Sequence, residues 1–160
     1  MPKHYIAELN IARLKYDIND PRVADFVNNL NRVNAVAERS EGFVWRLVED
    51  TSKGETTLIL EDPRVIPNLS VWQDVVSLEK FVFQTVHRRI YARRAEWFGA
   101  MEKMHFVMWP VPAGHLPDLP EALERLDMLN THGPSGDAFG WDYARTTGAW
   151  RNGRCSDTAA

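Results

Sequence analysis

Cysteine is nearly absent from this 160-residue chain: Cys155 stands alone. An internal disulfide and a thiolate metal site are therefore excluded, and a reducing compartment is expected. Long apolar runs are missing as well. Nowhere do the roughly eighteen consecutive apolar residues needed to cross a bilayer occur, and residues 1–6 show no basic region leading into an apolar stretch, so the expectation is a cytoplasmic protein with no membrane partner. No single sign of charge dominates. A net charge of -3 and a pI near 5.9 exclude a general attraction to nucleic acid. The five histidines, His4, His87, His105, His115 and His132, contain no closely spaced helical pair, which leaves a metal site without support. Neither a phosphate-cradling glycine loop nor a Gly-x-Ser-x-Gly nucleophile turn is present.

What the chain does have is aromatic side chains, six Trp, seven Phe and four Tyr, within otherwise ordinary globular composition. Its length fits one domain with one core, and the aromatics either fill that core or line a cavity or interface. From Tyr5 to Tyr16, Ala7, Leu9 and Ile11 alternate with Glu8, Asn10 and Ala12, the period of a strand with two unlike faces. Asp20 and Pro21 then open a helix whose apolar positions, Val23, Phe26, Val27, Leu30 and Val33, run to about Glu38. Gly42 releases the chain into a strand over 43–49, and a Thr-Ser-Lys-Gly turn leads to a second over 56–60. A further strand is expected over 68–72. Asp74 caps a second helix through Leu78, Phe81, Val82, Thr85 and Val86, continuing long or kinked to Met101. A last strand, 104–111, is followed by a Pro- and Gly-rich connection and a short helix over 120–129. The glycine-rich stretch after His132 reads as a tail or an arm that packs elsewhere, which divides the chain into a domain of residues 1–132 and a segment of residues 133–160.

The order β-α-β-β(-β)-α-β-α predicts an α+β fold: a ferredoxin-like antiparallel sheet with helices on one face. The opposite face then needs cover. A second copy would supply it, so a homodimer is expected.

Leu9-Asn10-Ile11-Ala12-Arg13, Gly42-Phe43-Val44-Trp45-Arg46, Asn68-Leu69-Ser70-Val71-Trp72 and Trp109-Pro110-Val111-Pro112-Ala113-Gly114-His115 together resemble the dimeric α/β-barrel superfamily. The likeness is to a bacterial branch of unassigned function related to the antibiotic-biosynthesis monooxygenases. It covers about residues 3 to 140 and implies a barrel dimer enclosing a small-molecule cavity. Relatives of this kind include cofactor-free monooxygenases and haem-degrading enzymes. The resemblance therefore implies either no cofactor or haem, and it matches Asn10, Trp72 and His87 in kind to pocket residues. In such relatives a key histidine lies nearer the position of Phe81, where this chain has none.

Chemically, the Asn10 amide can hydrogen-bond a substrate carbonyl or developing enolate, and Trp72 can wall a flat substrate. His87 or His115 would act as the base. Trp45, Ser70, Tyr91 and Trp109 complete the expected substrate-binding set. Blander roles compete: Asn10 as a strand-edge bridge, Trp72 as core, His87 as a partner of the helix dipole, His115 as a surface loop residue. The arginines at 88, 89, 93 and 94 read as a solvated helix face or an anion clamp. Three functions follow: a monooxygenase-like enzyme acting on a flat hydrophobic or aromatic ligand, a haem-binding protein, or a non-catalytic ligand-binding or stress-response dimer.

Overall fold

The computed structural model describes residues 3–48, 62, 64–99 and 105–148. Strand β1 (His4–Arg13) is central, flanked by β3 (Val65–Trp72) and β4 (Phe106–Pro112), while β2 (Phe43–Arg46) pairs with the outer side of β3. The resulting order β2-β3-β1-β4 is antiparallel at every pair, which is the split βαβ order expected from the sequence. The expected strand over 56–60 lies outside the described residues.

Helix α1 (Ala24–Arg39) connects β1 to β2 and starts from a 3-10 turn, Pro21–Val23, where the Asp20 carboxylate accepts the Arg22 amide. Helix α2 (Val75–Gln84) follows β3, with Asp74 accepting the Ser77 amide. The long or kinked helix expected onward to residue 101 is interrupted more than once within the described residues. Thr85 takes an extended conformation and turns its hydroxyl back to the Phe81 carbonyl, so α3 (Val86–Ala92) and α4 (Arg94–Trp97) are separate short helices.

Period-two alternation divides the sheet residues between two cores. Ile6, Trp72 and Met108 face α1 and α2, where Val33, Ala37, Leu78, Phe81 and Val82 close over them. Ala7, Leu9, Leu69, Val71, Val107, Trp109 and Val111 face the other way. That second face is covered by the chain itself. Helix α5 (Leu119–His132), capped by Asp118, lays Leu119, Ala122, Leu126 and Leu129 across it. A second copy is the cover expected for this face from the sequence; within the chain, α5 packs on it.

From Gly133 the chain crosses the open edge of β4. Phe139 exchanges backbone hydrogen bonds with Met108 at 2.7 and 2.9 Å. Ala138 is buried in the α5-side core and Phe139 in the opposite one, so two consecutive residues join both cores around the edge. Helix α6 (Trp141–Thr147) then adds Ala144 to the α1/α2 side.

This wrapping predicts that Phe139→Ala costs about 3–5 kcal/mol, the usual penalty for emptying a fully buried aromatic site, as read by urea denaturation. A loss below about 1 kcal/mol would mean that the segment adds little to the fold.

Candidate functional site

On the α1/α2 face, β1 carries Ile6, Glu8 and Asn10 in succession, and the register sets Glu8 beside Ser70 and Asn10 beside Asn68. Because helices cover this face, a position that would be wet in a two-layer surface sheet is enclosed. Glu8 is only 6% exposed. Trp72 donates its indole N–H to Ser70 Oγ at 2.9 Å, and Ser70 in turn donates its hydroxyl to Glu8 Oε1 at 2.5 Å. An indole nitrogen can only donate, so one lone pair of Ser70 Oγ is taken by Trp72, and its hydroxyl and second lone pair remain for Glu8. Burial pushes the Glu8 carboxyl up to about 8, against the opposing pull of the Ser70 hydrogen bond. At neutral pH the side chain is mostly a neutral acid.

Glu8 lines a cavity of about 480 Å³ between the sheet and the helices. Its polar lining includes Asn10, Asn34, Asn68 and Arg46, and its walls are aromatic. Trp72 stacks on Phe81 with centroids 5.2 Å apart, and Phe106 lies nearly parallel to Trp141 at 5.3 Å, with Phe83 edge-on to the same indole. These rings come from β3, α2, β4 and α6, so the segment that wraps the β4 edge also supplies part of the wall. A second hollow of about 790 Å³ adjoins the first and shares Asn10, Asn34, Arg46, Asn68, Tyr91 and His105 with it.

Of the residues singled out from sequence, Asn10, Ser70, Trp72 and Tyr91 line this cavity together. Ser70 and Trp72 serve Glu8 through the hydrogen-bond chain. Trp45 and Trp109 do not join them: both pack in the core under α5, on the far side of the sheet. His115 is in the β4–α5 loop, nearly half exposed, with Nε2 2.8 Å from Glu121 Oε2, and it lines neither hollow. The side chain of His87, in α3, lies outside the described residues. Glu8 was named in the sequence only as a neighbour of Asn10 on one strand face. Its signal was a lone carboxylate between Ile6 and Asn10 on a strand otherwise poor in charge. Among the described residues no group of three or more His, Cys, Asp or Glu side chains could hold a metal ion. The described lining offers haem one imidazole, that of His105.

Among the described residues, fold and site define a four-stranded antiparallel α+β domain around a cavity floored by a buried acid. The chain belongs to the family described as "Domain of unknown function (DUF3291)", which matches residues 5–155. No functionally curated protein matches it. Two solved structures are similar. A conserved protein from Methanosarcina mazei Go1 shows 17% identity and a TM-score of 0.47 over 68% of this chain and 91% of that one. A protein of unknown function from Nitrosomonas europaea shows 12% identity and a TM-score of 0.46 over 74% and 99%. Neither likeness carries an argument about function. No helix among the described residues is long and apolar enough to cross a membrane.

The raised Glu8 acid predicts a pH-dependent stability. A carboxyl with a higher affinity for its proton in the fold than in the unfolded chain favours the fold at low pH. That advantage is lost as pH rises from about 4.5 towards about 8. Wild type should lose about 3–5 kcal/mol between pH 5 and 9 relative to Glu8→Gln, which cannot ionise. Parallel urea titrations at several pH values make the comparison, and superimposable pH profiles for the two proteins would show that Glu8 is not held as an acid.

Proposed function

We propose that this protein is a small-molecule enzyme that moves a proton to and from a flat, largely apolar substrate, with Glu8 as the general acid–base. The observation that carries this reading is a buried carboxyl, lifted to about 8, on the floor of an aromatic-walled cavity. A base works best when its affinity for protons lies near the working pH, and burial has moved Glu8 towards that range. The Trp72–Ser70 chain holds one carboxyl oxygen still and leaves the other to exchange the proton.

Asn10 and Asn68, adjacent in register on the same face, are suited to hydrogen-bond the oxygen on which charge develops when a proton leaves a carbon next to a carbonyl, or a phenol. For a substrate whose anion is electron-rich enough, the carbanion carbon adds to dioxygen to give a hydroperoxide. Its O–O bond then breaks with loss of a second proton from that carbon, leaving one oxygen as a carbonyl and the other as water. The substrate is then the reductant, and no cofactor need supply electrons. This keeps the monooxygenase-like reading of the sequence but puts Glu8 in the place given there to a histidine.

The test is incubation with 2-tetralone and anthrone in deuterated water, following deuterium uptake by NMR and oxygen consumption by electrode. Wild type should exchange with a rate that rises through about pH 8. Glu8→Gln should lose on the order of 10²- to 10⁴-fold, and Asn10→Ala on the order of 10²-fold. Exchange by Glu8→Gln at the wild-type rate would remove the carboxyl from the mechanism. Absence of exchange in wild type with either compound would remove the proposed substrate class.

A further inference from the structure

The larger hollow differs in charge from the inner cavity. Its lining among the described residues includes Lys15, Arg46 and Arg94 and no Asp or Glu, in a chain whose net charge is -3. Lys15 Nζ donates to the Ala95 carbonyl at 2.6 Å, and Arg94 donates to the Tyr91 carbonyl while its guanidinium lies 4.1 Å from the centre of that ring. Among the described residues, both cations are thus positioned by backbone carbonyls, with carboxylates taking no part. Arg46, between the two hollows, is paired with Glu38 at 2.7 Å. Amides accompany the cations: Asn29, Asn31 and Asn34 from α1, and Asn68 from β3.

We infer that the two joined hollows hold one elongated anionic ligand, its flat apolar end over Glu8 and its carboxylate or phosphate end among Lys15, Arg46 and Arg94. Cations tied to carbonyls keep their positive charge unneutralised, which suits them to an anion from solution, and side-chain amides add donors without adding charge. The separation sets the length. Seven residues run from Glu8 to Lys15 along β1 and just past its end, roughly 20 Å at the usual strand rise, so a compact ligand cannot touch both ends. The apolar end is assigned by the aromatic walls of the inner cavity. This inference rests on the function proposed above for the inner cavity and adds the class of substrate.

Binding tests it independently of turnover. Three probes with one aromatic end, 8-(2-naphthyl)octanol, the matching octanoate and the octyl phosphate, are titrated into the full chain by calorimetry at low and moderate salt. The two anions are expected to bind at least tenfold more tightly than the alcohol, with the advantage shrinking as salt rises. The preference should vanish in Lys15→Gln/Arg94→Gln and persist in Glu8→Gln. Both cations are exposed, so the double variant should fold, as checked by circular dichroism; Lys15→Glu alone should weaken the anions and spare the alcohol. The ratio of octanoate to phosphate binding identifies which anion the site takes. Equal binding of all three, binding of none, or a preference that survives the double variant overturns the inference. Loss of catalysis in Glu8→Gln with the anion preference intact leaves it standing, and a preference without any proton exchange in wild type counts against the enzyme reading alone.

Discussion

A four-stranded sheet has two apolar faces and two hydrogen-bonding edges to hide, and a chain of this length has few elements with which to do it. Here much of the task falls to the residues after β4. Helix α5 covers one face, residues 138 and 139 cross the β4 edge with paired backbone bonds, and α6 joins the cover of the other face. The site depends on this arrangement. Only because the α1/α2 face is closed does a strand position such as Glu8 lose its water, and only because the wrap continues past Phe139 does Trp141 reach the cavity wall. Shape and acid–base character therefore come from the same packing.

The burial of Glu8 is unfavourable to the fold whenever the carboxyl must ionise, and nearby apolar residues would have filled the position more stably. The structure limits the penalty in two ways. Ser70 gives the carboxyl one good partner, and the Trp72 indole bonded to the same Oγ helps hold that partner in place. Retaining the proton avoids a buried charge at neutral pH. A buried acid with a partner on one oxygen and a cavity on its other side is a costly arrangement for structure alone, but a useful one for moving protons.

Much of the frame was readable in the sequence. Period-two alternation placed Asn10, Ser70 and Trp72 on strands, and the register brings them to one face. Asp20 and Asp74 marked helix starts that the structure retains. Glu8 escaped notice as a functional group because a charged residue in an alternating strand ordinarily marks the wet face, and nothing local reveals that a helix covers it. Trp45 misled for a different reason. In a regular strand Phe43 and Trp45 share a face, but an irregularity between them puts Phe43 against Trp72 and Trp45 against Val71 on the other side. Trp109 opposes Ala7 in register and so belongs to the α5 face, a fact of pairing rather than of sequence. His115 stood in a loop that promised reach over a cavity, and the hydrogen bond to Glu121 holds it elsewhere.

The distribution of charge around Glu8 completes the physical logic. An opposite charge within a few ångströms would favour the carboxylate and cancel the effect of burial. Only burial and the Ser70 hydrogen bond govern this carboxyl, and no cation contributes. Arg46, whose strand neighbour is Ser70, is the basic residue nearest in register, yet its guanidinium is engaged with Glu38 of α1. Lys15 and Arg94 lie in the adjoining hollow, tied to carbonyls. Arg46 and Arg145 also border the cavity of Glu8, but neither acts on its carboxyl, so the inner chamber suits a proton and the adjoining one, with Lys15 and Arg94, suits an anion.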